Sequence, residues 1–162
     1  MRQNGATRSA TYGDIARMNR LDTDFKDSTE RRGDGVTGKG ESHLLHHDLT
    51  RVIIGGFFST HSQLGSGFLE AVYGNGLSLL LRRAGLRVER EVLFEIDFHG
   101  EVIGRYRADL IVESKVVVEV KCARAIDPMH VAQLRNYLRA ANLRVGLVLN
   151  FGRAAEFKRV IL

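Results

Sequence analysis

The chain has very little with which to cross-link itself or to cross a membrane. A single cysteine, Cys122, in 162 residues excludes an internal disulfide framework and any CxxC zinc site, a usage that agrees with a reducing compartment. No run of about 18 apolar residues is present to span a bilayer. The N-terminus, MRQNGATRSATYGDIARMNR, lacks the apolar centre of a signal peptide. A cytoplasmic protein with no membrane partner is the expectation. Proline is equally scarce: the only one, Pro128, follows Asp127, which pairs an N-cap residue with proline at the first helical position.

What is present fits one soluble domain with a real core: 44% of residues are hydrophobic and 27% charged. The formal net charge is +5, which is compatible with a polyanionic partner such as nucleic acid. Its placement is uneven. Residues 1–42 carry eight Lys/Arg against seven Asp/Glu, whereas residues 43–162 carry sixteen against twelve, so the folded part is expected to hold most of the excess.

Residues 1–42 are polar, rich in Gly, Asp, Arg, Ser and Thr, and have no sustained apolar period. Such a segment buries too little surface to fold, so a poorly ordered tail is expected before a domain over 43–162. Within the tail, GDGVTGKGES (Gly33–Ser42) contains GxGxxG and GxxxxGK strings. A phosphate-binding loop needs a buried strand before it and a helix after it. Here TDFKDSTERR precedes, and Gly40 stands where a magnesium-binding Ser or Thr belongs, so the strings are chance matches.

From about His46, Leu49, Val52, Ile53 and Phe57 recur on one helical face through His61. LGSG then breaks the pattern. Ser66 is the expected cap of a second helix over about 67–84, with Leu69, Val72, Leu77, Leu80 and Leu81 facing the core and Gly85 as the stop. Strands are expected at about 87–98, 101–112 and 115–121, joined by turns at His99-Gly100 and Glu113-Ser114. A helix from Pro128 to about Ala141, a strand over 143–150 and a last strand in FKRVIL complete the order α, α, β, β, β, α, β, β. The fold class is α/β, with a central mixed sheet flanked by helices.

The stretch VVVEVKC (Val116–Cys122) breaks the chemical logic of its own strand. Four valines read as a strand buried on both faces, yet Glu119 and Lys121 sit within it and project from the same face, because strand side chains alternate. Buried charges need partners or a bound ion. Asp109, in the apolar strand YRADLIV, meets them if the second strand runs antiparallel to the third. Two carboxylates a few ångströms apart repel unless a hard cation neutralises them, and Mg²⁺ takes a few carboxylate oxygens plus water or phosphate. A lysine beside such an ion can orient water and meet charge developing on a phosphate.

The spacing D-x9-E-x-K on strands two and three of an α-β-β-β-α-β core resembles the PD-(D/E)XK nuclease superfamily, with Ala108 in place of the proline of its name. More narrowly, GFLEAVY (Gly67, Glu70, Tyr73), with RADLIV, VVVEVK, AQLRNYL and LRVGLVLNFG, resembles the bacterial family called GxxExxY proteins, Ser66 replacing the proline of its LGPG turn. The resemblance runs from about Leu49 to the C-terminus. It implies a restriction-endonuclease-like fold and a Mg²⁺- or Mn²⁺-dependent nuclease acting on nucleic acid. On it, Asp109 and Glu119 bind the metal, Glu70 adds to the metal shell, and Lys121 positions or activates the water. Gln133 and Tyr137 match the QxxxY helix motif that lines the site in the RecB-like and phage-exonuclease-like branch. His130, Gln133 and Tyr137 also share one helical stripe by spacing, as do Glu70 and Tyr73.

Plainer readings stand beside these. Glu119 and Lys121 at an edge would be a surface ion pair, Glu70 a first-turn acid favoured by the helix dipole, and Tyr73 a core residue with a satisfied hydroxyl. His43, His46, His47 and His61 lack the spacing of a known metal site and are expected as exposed histidines. Cys122 with His130 lacks an orienting third group, so a buried structural cysteine is expected. Most arginines form a solvated face, with Arg107 and Arg124 the expected phosphate contacts. Two rival functions remain: a catalytically inactive nucleic-acid-binding or assembly module on the same fold, and a structural protein whose polar cluster is an internal salt-bridge network.

Overall fold

The computed structural model describes residues 45–162. The expected tail, its glycine-rich string and His43 lie outside the described residues. The elements are α1 (His47–Leu64), α2 (Glu70–Arg83), β1 (Val88–Phe98), β2 (Glu101–Val112), β3 (Val116–Lys121), α3 (Pro128–Ala141), β4 (Val145–Asn150) and β5 (Glu156–Ile161). They form a mixed five-stranded sheet of order β1-β2-β3-β4-β5. All neighbours are antiparallel except β3 and β4, which run parallel because α3 carries the chain back between them.

Two apolar layers sandwich the sheet. Ile53 and Phe57 of α1 and Leu77 and Leu81 of α2 pack with Leu110, Val118, Val120, Leu147 and Leu149 on one face. On the other, Leu134, Tyr137 and Leu138 of α3 pack with Ala108, Val117, Val148 and Val160. This explains the valine run: β3 is central, and its successive side chains enter opposite layers. Glu119 therefore shares the side of Val117, the α3 side.

The ends of the elements follow local chemistry. Gly85, at φ 86°, closes α2, with Gly85 N–H bonded to Arg82 O and Leu86 N–H to Leu81 O, the paired bonds of a Schellman end. Asp127 caps α3 by accepting from Met129 N–H at 2.7 Å, while His130 Nδ1 accepts from Asp127 N–H at 3.1 Å. The start of α2 differs from the expectation. Gly65 and Gly67, at φ 71° and 110°, keep the chain out of helical geometry, so α2 begins at Glu70 with Leu69 as N-cap and no side-chain cap. Ser66 lies in the loop, and Tyr73 braces that loop instead: its hydroxyl donates to Gly65 O at 2.6 Å and accepts from Phe68 N–H at 3.2 Å.

Candidate active site

The pairing of β2 with β3 is short, Leu110↔Val118 to Val112↔Val116. Carried one step further, that register sets Asp109 across from Glu119. There the ladder stops and a side chain takes its place: Val120 N–H donates to Asp109 Oδ2 at 2.8 Å. Lys121 Nζ reaches back along its own strand to Glu119 Oε1 at 2.8 Å. The three residues of the D-x9-ExK pattern thus converge where β2 leaves β3.

What turns β2 away is visible in its hairpin partner. Arg90 pairs with Leu110 and Val92 with Ala108, so Glu91 lies across from Asp109, and Glu91 has φ 51°. A non-glycine residue in the left-handed region within a strand is a local kink. Around it the hairpin changes layers: Val88 and Leu110 join the α1/α2 core, while Ala108 and Phe94 pack on the α3 side. Asp109 sits at this corner.

Burial sets the electrostatics. Glu119 is 2% exposed and its Oε2 has no hydrogen-bond partner. Burial, then the neighbouring charge of Asp109, pushes its carboxyl from 4.5 up to about 7 against the opposing pull of Lys121. Asp109 is raised too, by burial first, with Glu70 adding to the effect and the Val120 bond, Lys121 and Arg107 opposing it. For Lys121, burial alone lowers the ammonium, but the Glu119 hydrogen bond and the charges of Glu119, Glu70 and Asp109 outweigh it, so the lysine is held more firmly protonated.

The remaining expected residues gather around this centre in different roles. Glu70, exposed at the start of α2, accepts from Cys122 N–H at 3.2 Å, and so reaches the end of β3 from the opposite layer. Gln133 Nε2 donates to the Tyr137 hydroxyl at 2.6 Å. Tyr137 is buried against Tyr106, with ring centroids 5.4 Å apart. Its hydroxyl is raised by burial, with Glu119 and Asp109 adding to the rise. Arg107 is exposed and within electrostatic reach of Asp109. Tyr73 is fully buried, stacked on Phe151 at 4.5 Å, and serves the site by holding the loop that leads into Glu70. His130 lies on the same helix one turn before Gln133, and its Nδ1 is engaged by the helix cap. Cys122 is exposed rather than buried, since it follows the last residue of β3. His61, expected to be exposed, is half-buried, its Nε2 hydrogen-bonded to Gly152 O at 2.9 Å.

Four residues that sequence reasoning passed over complete the surroundings. Asn150, fully buried at the end of β4, accepts from Ala123 N–H at 2.8 Å and donates to Ala123 O at 3.0 Å. That pair of hydrogen bonds clamps the turn after Lys121. Its sequence signal was an amide ending the apolar run LVLN. Gly152 lies so close to the same turn that an added Cβ would overlap Ala123 O. Phe68 and Arg153 line an open cleft of ≈ 820 Å³ beside Glu70, together with Leu69, Cys122, Arg124 and Phe151.

Do these groups suit a divalent cation? Among the described residues no group of three His, Cys, Asp or Glu side chains stands ready to hold an ion. Mg²⁺ asks for less, binding through one or two carboxylates with water and substrate phosphates filling the rest of its shell. A buried carboxylate oxygen without a partner, beside a second carboxylate that raises its pKa, is the arrangement a cation relieves. Asp109 and Glu119 fit on that ground. Glu70 does not complete a direct side-chain cage.

The family model of the PD-(D/E)XK nuclease superfamily matches residues 47–160. No curated protein matches. Among solved structures, the crystal structure of SSO0001 is similar at 19% identity, with 98% of this chain and 70% of that chain covered and a TM-score of 0.46. No helix among the described residues is long and apolar enough to cross a membrane.

Proposed function

The chain belongs to the PD-(D/E)XK nuclease superfamily, and on that premise we propose that it hydrolyses phosphodiester bonds of nucleic acid with Mg²⁺ or Mn²⁺. The observation that carries the reading is Glu119, buried and ionisable, with one oxygen on Lys121 and the other on nothing. Asp109 and Glu119 would hold the metal, with Glu70 as a third acid close enough to act on both carboxylates. The bound ion supplies neutralisation of the phosphate and a water more easily deprotonated than bulk water. Lys121 hydrogen-bonds the attacking water and meets the negative charge growing on the phosphate, a role that its firmly protonated, half-enclosed ammonium suits. Gln133 and Tyr137, hydrogen-bonded to each other, would meet the substrate from the α3 side, and Arg107 and Arg124 take backbone phosphates.

The GxxExxY grouping is supported by how its residues act together. Gly67 supplies a left-handed loop position, Tyr73 braces that loop, and Glu70 is delivered to the end of β3.

The test is cleavage of labelled single- and double-stranded DNA and RNA with Mg²⁺ or Mn²⁺, with EDTA and Lys121→Ala as controls. Metal-dependent cutting should fall by at least about 100-fold in Lys121→Ala, the scale of one lost transition-state donor, while its melting temperature stays near wild type. Arg107, exposed and within electrostatic reach of Asp109, would serve one second reading equally well, an inactive nucleic-acid-binding module. A folded, metal-binding protein that cuts nothing in that panel would establish it.

A further inference from the structure

We propose that the open cleft beside Glu70 holds an unpaired nucleotide, with Phe68 stacking on the base and Arg124 and Arg153 taking the flanking phosphates, so that the substrate is single-stranded nucleic acid. The inference rests on the nuclease reading for its biological meaning; it shares Arg124 and Glu70 with that reading, while Phe68 and Arg153 belong to the cleft alone. Phe68 is 49% exposed at the cleft wall, an aromatic surface that water does not favour. It is not a loose side chain. Its ring meets Tyr73 edge to face at 6.1 Å, and its backbone N–H is tied to the same tyrosine's hydroxyl. One flank is therefore braced by the core and the other is open.

The two arginines of the cleft leave a backbone that is itself held in place. Arg124 leaves the turn that Asn150 clamps at Ala123, and Arg153 follows Gly152, whose backbone lies against that same turn. Neither arginine has an ion-pair or hydrogen-bond partner among the described residues. Two unpaired guanidinium groups and a braced aromatic ring around one cleft fit the chemistry of a nucleotide strand, whose phosphates carry the charge and whose bases offer a π-face. Among the described residues lining the cleft, Glu70 is the one carboxylate, and it reaches the end of β3 within electrostatic range of Asp109 and Glu119, which sets the cleft beside the proposed centre. A base inside a duplex has both faces covered by its neighbours. Stacking on Phe68 therefore selects an unpaired one.

The test is fluorescence anisotropy with labelled oligothymidylate, oligouridylate and a blunt DNA duplex, in EDTA so that nothing is cut. Wild-type protein should bind the single strands at least tenfold more tightly than the duplex. Phe68→Ala should weaken single-strand binding about tenfold or more, the effect of one stacked base, with duplex binding unchanged. The double variant Arg124→Ala, Arg153→Ala should lower the dependence of log K on log salt by about 1.4, since each single-strand phosphate contact contributes about 0.7. The two oligonucleotides separate DNA from RNA as the source of the strand. The proposal is overturned if the duplex binds as tightly as the single strands. It is also overturned if Phe68→Ala, with wild-type melting, binds them as wild type does. Cleavage in Mg²⁺ is scored separately: binding through Phe68 without cutting retains the cleft and removes the nuclease reading, whereas cutting with a KM indifferent to Phe68→Ala does the reverse.

Discussion

Glu119 shows how one residue's surroundings set its chemistry. Enclosed in a valine strand, it prefers the neutral form, and its carboxyl is raised to about 7. A raised carboxylate contributes stability that is complete below the unfolded value of 4.5 and is lost as pH climbs through about 7. Metal-free protein is therefore expected to lose stability between about pH 5 and pH 8, by at most on the order of 3 kcal/mol from this group. Glu119→Gln should flatten that slope and raise the melting temperature at pH 8, as measured by thermal denaturation across the pH range in EDTA. A salt-bridge network whose purpose was stability would give the opposite result, since removing one partner strands the other. Asp109→Asn is expected to be milder, because an amide oxygen can still accept from Val120 N–H.

At the scale of elements, the site is made by irregularities in otherwise regular strands. Glu91 is the clearest: at φ 51° it bends the β1–β2 hairpin opposite Asp109. Glycine occupies that conformation freely and a β-branched residue does not. Glu91→Gly is expected to leave stability and cleavage near wild type. Glu91→Val should cost roughly 1–2 kcal/mol and lower cleavage by displacing Asp109, which urea denaturation and the nuclease assay would both register. The clamp between β3 and β4 is the second irregularity. Asn150→Leu removes both bonds to Ala123 while keeping the branched side-chain shape, leaving a half-buried N–H and C=O without their protein partner. A loss of about 2–4 kcal/mol is expected in the same denaturation measurement.

For the whole molecule, the α1/α2 layer and the α3 layer converge on one end of the sheet, Glu70 arriving from one and Gln133 and Tyr137 from the other. Asp109, Glu119 and Glu70 collect there against one close cation, Lys121, so a further cation that binds the acids should stabilise the native state. At about a hundredfold excess over its Kd the expected gain is about 2.7 kcal/mol. Mn²⁺ should raise the melting temperature more at pH 8 than at pH 5.5, where Glu119 is protonated, and Asp109→Asn with Glu119→Gln should erase the rise. Much of this was legible in the chain itself. The alternation of valine with charge in VVVEVK identified a buried strand carrying an acid and a base, and the turn chemistry at His99-Gly100 and Asp127-Pro128 delimited its neighbours. Those are local patterns, set by side-chain period and backbone preference. The roles of Ser66, His130 and Cys122 were not legible, because a cap or burial depends on where a loop ends and what packs beside it. Nor was the clamp by Asn150, the kink at Glu91, or the cleft that joins Phe68 to Arg124 and Arg153. Each depends on contacts between residues far apart in sequence, and only the packing of two helical layers on a bent sheet brings those residues within reach of one another.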